Sequence, residues 1–506
     1  MSSLTGTGAL IRLVVRRDRL RIFVWVVAIV AVVVAVASSI TGLYTTSADL
    51  REAAATVEGD AAQIALNGPD RGLDRLGGRV AFEVWNFGLV GVALMSLFML
   101  GRHTRSEEET GRTELVRAMP VGRHAPTAAA LTVVAAMNLL VAAGVALGLT
   151  LQDLPARGSL TLGAALGAVG LVFAAAATVA AQVTENTRVA YGITGAGVAA
   201  AFVVRAIGDV GAGTVSWLSP MGWAQASRPF VGERWWPLGL AVGVAAGLVA
   251  GAGALAARRD VGGGLVPPRP GPATASPALG SPAGLAWRLQ RGGLVGWSVG
   301  VLGGGAAIGS VGKDVEDVVG DNQNVRDVFA QAGGDVTDSF FATFLLLLAL
   351  IGAGYAVSSA ARLRSEETAL RAEPILATPV SRPRWAASHL TLALAGSVVV
   401  LAAAGLGTGM AYGITAGDMG QVPRLLGAAL AYTPAVWVLV GLTVALFGLT
   451  PRATPAVWGG LAACVVIGLL GPLLALPGPI RDLSPFHHVP HLPAAELTVV
   501  PLAVLT

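Results

Sequence analysis

The chain has 506 residues, of which 54% are hydrophobic and only 13% charged, with a mean hydropathy of +0.69. A water-soluble domain carries roughly 25% charged residues, so a protein solvated on all sides is excluded. The formal charge of +4 does not by itself call for nucleic acid, and the single cysteine, Cys464, rules out an internal disulfide.

Spanning a bilayer takes about 20 apolar residues per helix. In chain order, residues 1–21 hold Arg12, Arg16, Arg17, Arg19 and Arg21 among Leu, Ile and Val, a pattern suited to an amphipathic helix on the membrane surface. Apolar spans are then predicted at 22–43, 81–100, 126–150, 159–182, 189–207 and 237–257. The run after Arg21 is too long for a cleavable signal and reads as a permanent helix. A Gly/Pro-rich segment over 258–287 predicts a flexible linker. AWRLQRGGLVGW (Ala286 to Trp297) is a weaker counterpart of the N-terminal arginine-rich stretch. Five further spans follow at 292–311, 339–357, 385–409, 423–449 and 455–475. After Ala495 the chain turns apolar again (VVPLAVLT) but is too short to span, which predicts a twelfth helix truncated at Thr506. The expected fold is therefore an all-α polytopic membrane protein of two parallel six-helix halves, 1–257 and 288–506, related by an axis along the membrane normal.

The halves are related by a repeat. RSEEETGRTELVRAMPVGR (Arg105 to Arg123) aligns without a gap on RSEETALRAEPILATPVSR (Arg364 to Arg382), with 10 of 19 positions identical. Composition alone gives about one or two matches, so duplication accounts for it. WLSPMGW (Trp217 to Trp223) and DLSPFHH (Asp482 to His488) correspond as well, and so do the loops 44–80 and 312–338. Taking the N-terminus and every second loop as one side, that side holds 22 of the 34 basic and 10 of the 30 acidic residues. The positive-inside bias places the N-terminus, both repeated blocks and the linker in the cytoplasm, and it explains the basic excess without nucleic acid.

In the first block Ser106 followed by Glu109 has the form of a capping box, and the acidic first turn suits the helix dipole. Pro120 and Pro379 are expected to stop each helix, with Arg123 or Arg382 at the bilayer surface. Thr368 replaces Glu109 and Pro374 replaces Leu115 in the second copy, whose helix is expected to be broken or to start later. Each block reads as a short cytoplasmic helix joined to two spans, able to pass force from a soluble partner into the membrane.

The pattern E-E-x(5)-E-x(3)-A-x-P-V-x-R at Glu107–Arg123 and Glu366–Arg382 resembles that of ABC-2 type exporter permeases. The LSP segments at Leu218–Pro220 and Leu483–Pro485, with RRDVGGGL and LAWRLQRGGLVGW, extend the resemblance over essentially the whole chain. It points to the actinobacterial twelve-helix group described as exporters of polyketide antibiotics. The resemblance implies export of hydrophobic or amphipathic compounds, as in antibiotic and multidrug efflux, by a route between the halves in the bacterial cytoplasmic membrane. It also implies two copies of a separate ABC ATPase subunit, which bind ATP and Mg, docked on Arg105, Glu107, Glu108, Glu114, Pro120, Arg123, Arg364, Glu366, Glu367, Glu373, Pro379 and Arg382.

No energy-converting motif is expected in this chain, which is read as a permease and not an enzyme, with no cofactor or metal of its own. AAIGSVGKD has Ala307 where a phosphate loop needs its first glycine and Asp314 where it needs Ser or Thr. His487, His488 and His491 lack an adjacent carboxylate, and an interfacial role accounts for them better than zinc. Glu83, Asn86, Asn138, Arg205 and His389 are candidates for a substrate cavity, because polar groups in spans are costly. Glu83, Arg205 and His389 lie near helix ends, where snorkelling removes much of that cost. The alternative reading is an ion-coupled secondary transporter of small molecules, which would be expected to place carboxylates deep in its spans.

Overall fold

The computed structural model describes residues 2–44, 46–59, 61–211, 213–260, 262–267, 271–312, 336–470 and 477–495. It is an all-α polytopic membrane protein: eleven helical segments are long and apolar enough to cross a bilayer, and no strand occurs among the described residues. The predicted twelfth helix lies at 496–506, outside the described residues. The chain divides into two compact units, Met1–Pro270 and Gly271–Thr506.

In unit 1 the helices are α1 (Thr7–Leu43), α2 (Ser47–Val57), α3 (Ala61–Asn67), α4 (Leu76–His103), α5 (Arg105–Glu109), α6 (Arg112–Arg117), α7 (Ala125–Thr150), α8 (Ala156–Val183), α9 (Thr187–Val210), α10 (Pro220–Ala226) and α11 (Trp236–Ala256). The expected surface helix and the first span are one element, α1, bent at Asp18, whose φ of −114° and ψ of 20° interrupt it. The loop 44–80 is not structureless. Thr46 and Asp49 close a capping box on α2, and α3 follows. WLSPMGW forms a 3₁₀ turn and then α10, where the Ser219 hydroxyl accepts from the Met221 N–H and donates to the Ala201 carbonyl.

Unit 2 contains α12 (Pro282–Val311), α13 (Val336–Ala360), α14 (Arg362–Thr368), α15 (Ala372–Leu376), α16 (Arg382–Ala416), α17 (Gln421–Leu430), α18 (Thr433–Leu449), α19 (Val457–Val465) and α20 (Gly478–Arg481). The stretch AAIGSV is the last turn and a half of α12, so its glycine sits in a helix and not in a phosphate loop. The span expected over 423–449 is two helices, because Pro434 brings no N–H to bond across the junction. The next span starts as a 3₁₀ turn through Pro455 and enters a π-helical turn at Val466–Leu470, and the rest of the expected span, 471–475, lies outside the described residues.

Chain starts are set locally. Pro stands in the first turn of α7, α11, α12, α16 and α18, where a missing N–H costs nothing. Ser281, Ser381 and Asn186 each accept backbone N–H groups at the entry to α12, α16 and α9. Packing then relies on small residues that bring backbones close. In unit 2, a Cβ on Gly305 or Gly309 would meet the Ala404 or Thr408 carbonyl of α16 at 2.6 and 2.2 Å.

In unit 1 the enclosed helix α8 packs on α4, α7 and α11. Buried Asn138 on α7 donates to the Ser96 hydroxyl of α4 at 2.9 Å and leaves Oδ1 without a donor. A Cβ at Gly170 on α8 would stand 1.7 Å from that Oδ1. Gly170→Ala is therefore expected to force the three helices apart and cost about 1–3 kcal/mol, read as a lower melting temperature of the purified protein.

Candidate functional site: the repeated block

The block between the second and third spans is a helix, a break and a second helix in both copies. In the first copy Thr104 leaves helical geometry (φ −121°, ψ −89°), α5 runs to Glu109, and Gly111 at φ +73° turns the chain into α6. In the second copy α14 ends at Thr368, Leu370 at φ +57° makes the turn, and α15 follows. Gly111 and Leu370 occupy aligned positions, so both copies break at the same place. The single capped helix expected from Ser106 is not formed. Ser106 lies inside α5, and the Thr104 hydroxyl donates to the Leu100 carbonyl. Glu109 accepts instead from the Thr187 N–H, capping the fifth span, α9, at 3.0 Å. Pro120 and Pro379 lie beyond the ends of α6 and α15. Pro374 is the third residue of α15, where its missing N–H breaks no helical bond, and α15 begins at Ala372, one aligned position later than α6.

A clasp across the break is common to both copies. Glu107 faces Arg112 at 3.6 Å, and the aligned Glu366 takes Arg371 at 2.8 and 3.2 Å, with Arg362 at 3.1 Å. The other ties differ. Glu107 also bonds Arg17 of α1 at 2.5 Å, beside the bend where buried Asp18 pairs with Arg21 and Arg102 (3.0 Å), with the His103 Nε2 atom 3.2 Å away. Glu108 sits between fully buried Arg105 (2.6 Å) and both amino groups of Arg259 (2.8 and 2.9 Å). Arg259 reaches on to Gln182, and Arg105 donates to the Gly262 carbonyl. The linker is accordingly not free at its start: Leu265 and Val266 donate to the carbonyls of Gln182 and Val183 at the end of α8. Downstream, Gly122 and His124 donate to the carbonyls of Thr5 and Ser3, and Arg123 donates to the Ala256 carbonyl at the end of α11. In the second copy Glu367 meets Arg364 only at 3.9 Å, and Thr368 bonds back to its own helix.

Glu107, Glu108 and Glu366 thus point inward to arginines of their own unit. The side chains turned outward lie at the tips. In the first copy these are Glu114, Leu115 (74% exposed), Met119 (63% exposed) and Pro120. In the second they are Leu370, Glu373, Pro374, Pro379 and Arg382.

The five polar residues proposed for a cavity are not joined to one another by any hydrogen bond or ion pair among the described residues. Glu83 pairs with Arg79 at 2.9 Å, Asn86 is half-buried on α4, and Asn138 holds Ser96. His389 bonds Gln290, which takes the Ser359 hydroxyl. Arg205 does not snorkel. It is fully buried, donates to the Ala65 and Leu66 carbonyls at 3.0 Å, pairs with Asp209 at 3.4 Å and lies 4.4 Å from the Phe202 ring centre. The carbonyl end of α3 supplies the negative charge that lipid headgroups would otherwise provide. At the histidine cluster, His488 bonds the Asp482 carbonyl, and no group of three metal-ligating side chains occurs among the described residues. Burial favours the neutral form of His491 and, with Arg481 beside it, of His487.

Sequence reasoning passed over Asp18, Arg259 and Gln182. One signal was available for Asp18, which is the only acid among five arginines in residues 12–21.

Two outcomes follow from this geometry. Leu370→Gly is expected to stabilise unit 2 by about 1 kcal/mol in a thermal melt, since only glycine adopts that φ without strain. Glu108→Gln is expected to loosen the Arg105–Arg259 pair and free the linker, so that limited trypsin digestion cuts after Arg258 or Arg259 several-fold faster than in the parent protein.

Residues 279–506 match the family described as the multidrug efflux system permease Rv1217c, C-terminal domain. The multidrug efflux system permease protein Rv1217c of Mycobacterium tuberculosis is 43% identical over 507 residues, covering 99% of this chain and 92% of that protein. The chain belongs to the family of the multidrug efflux system permease Rv1217c.

Proposed function

We propose that this chain is the membrane permease subunit of an ATP-driven ABC-2 type exporter of hydrophobic or amphipathic compounds, including antibiotics. The relative's description as a multidrug efflux permease supports the transport direction and the breadth of cargo. In this reading ATP and Mg are held by two separate ATPase subunits, and the N-terminus faces them from the cytoplasmic side of the bacterial membrane.

The observation that carries the coupling is the repeated helix–break–helix element. Each copy is joined to two spans, has a glutamate clasped to an arginine across its break, and turns a small apolar tip with one further glutamate outward. An exposed leucine or methionine on a short, internally clamped helix is the kind of anchor that fills a pocket on a partner. The inward carboxylates supply rigidity, so that displacement of the tip is passed to α4 and α7, or to α13 and α16. Docking is assigned to Glu114, Leu115, Met119 and Pro120 in one block and to Glu373, Pro374 and Pro379 in the other.

Glu114→Arg with Leu115→Asp, and separately Glu373→Arg with Pro374→Asp, are expected to lower ATPase co-purification by about ten-fold or more while leaving the melting temperature unchanged. Glu108→Gln, by contrast, is expected to lower the melting temperature, because it removes a tie within the unit. Tip variants that assemble normally and still drive ATP-dependent uptake into inside-out vesicles would defeat the proposal.

A further inference from the structure

We propose that unit 1 carries a binding site for an organic oxyanion, a phosphate or carboxylate borne on an apolar body, at the end of the unit opposite the repeated block. The proposal concerns equilibrium binding and does not depend on the ATPase reading. The site is a cavity of about 390 Å³ walled by the turn before α4, the turn after α9 and the loop between α10 and α11. The turn before α4 lies far from the other two segments in sequence, those two flank α10, and each of the three contributes charge or aromatic surface to the same space.

Three guanidinium groups line it: Arg71, Arg228 and Arg234. None of the three side chains has a hydrogen bond or ion pair within 4 Å among the described residues. Of the two acids in the wall, Asp209 is already committed. It takes Arg205, the Ser216 hydroxyl at 2.6 Å, and the Gln225 amide at 2.9 Å when that amide is turned to donate. The other, Asp70, accepts from the Gly59 N–H at 3.1 Å. Three cations therefore share one space with a single carboxylate not already paired with an arginine. Burial, then the like charge of Arg228, lowers the Arg71 pKa from its ordinary value. An oxyanion entering the cavity would relieve that repulsion and accept the planar, two-pronged donation that guanidinium offers.

The backbone holds the arrangement at a cost. Arg228 and Phe230 both have positive φ, +50° and +65°, which side chains other than glycine rarely adopt. The Phe230 ring fills the space over Gly77 and Gly158, where a Cβ would come within 2.5 and 2.1 Å of it, and the Arg234 N–H closes the loop on the Ser227 carbonyl. Strain of this kind persists where packing imposes it, and here it fixes the segment from which Arg228 enters the cavity. Trp217 and Trp236 add a flat apolar wall, with rings stacked 5.0 Å apart at 9° and each more than a third exposed. Cationic floor and aromatic wall together select an amphipathic anion over a bare ion.

The chemistry fits either a free amphipathic anion or the headgroup of an anionic lipid. Full-length protein in phosphatidylcholine nanodiscs, titrated with 1-naphthyl phosphate, is expected to bind it saturably, and to bind inorganic phosphate or 1-naphthol more weakly. Replacing Arg71, Arg228 and Arg234 by Gln should weaken binding on the order of ten-fold. Trp217→Ala should weaken naphthyl phosphate more than phosphate. The single Arg228→Lys variant, which keeps the charge, serves should the triple variant melt early, and it should fall between parent and triple. Arg424→Gln in unit 2 should change nothing. Competition by phosphatidylglycerol in the nanodisc would identify a lipid headgroup as the occupant, and its absence a free anion; either result upholds the site. No saturable binding, or binding unchanged in the arginine variants, would overturn it.

Discussion

Charge that lies at the end of an apolar helix has to be neutralised by the protein itself, and the folded ends of unit 1 are organised by that requirement. Isolated charges in low dielectric are costly, whereas a carboxylate shared among several arginines is tolerated. Asp18 gathers Arg21 and Arg102 at the bend of α1, and Glu108 gathers Arg105 and Arg259 where the linker begins. Arg205 does the same at the opposite end with Asp209 and two carbonyls of α3. Each hub ties together segments that apolar packing alone would leave free to slide.

Duplication preserved one part of this scheme and not another. The left-handed break and the Glu–Arg clasp across it stand at aligned positions in both units. Ties to other segments are seen in the first copy, where α1, α9 and the linker are held by Glu107, Glu109 and Glu108. At the place where unit 1 uses the charged Asp18 hub, LVVRRDRLRIFVW aligns with LAWRLQRGGLVGW, and Gln290 stands for Asp18. There the charged hub is replaced by a neutral chain from Ser359 through Gln290 to His389. In the proposed coupling role, the two blocks would pass a push from their tips into differently braced units.

How legible this was depended on the length scale of the cause. Eleven spans were readable because twenty apolar residues in a row leave few alternatives to a membrane helix. The repeat was readable because ten identities survive in one short window. Local patterns proved weaker when a neighbour competed: Ser106 and Glu109 have the letters of a capping box, but Glu109 found a better donor at the start of α9. The break at Leu370 carried no signal, since leucine does not advertise positive φ, although its aligned partner Gly111 did. Arg205 looked like a snorkelling residue because the carbonyls that hold it come from α3, some 140 residues earlier. The linker looked free because its hold depends on Gln182 and Glu108, which only the fold brings near.

The central claim is that the tip of each repeated block, and not its inward carboxylates, meets a separate ATPase. Site-directed cross-linking tests it most directly, in a Cys464→Ala background with single substitutions Leu115→Cys, Pro374→Cys and Glu108→Cys. The account predicts cross-links to the ATPase subunit from Leu115→Cys and Pro374→Cys and none from Glu108→Cys. An ATPase that co-purifies yet cross-links to neither tip would contradict it.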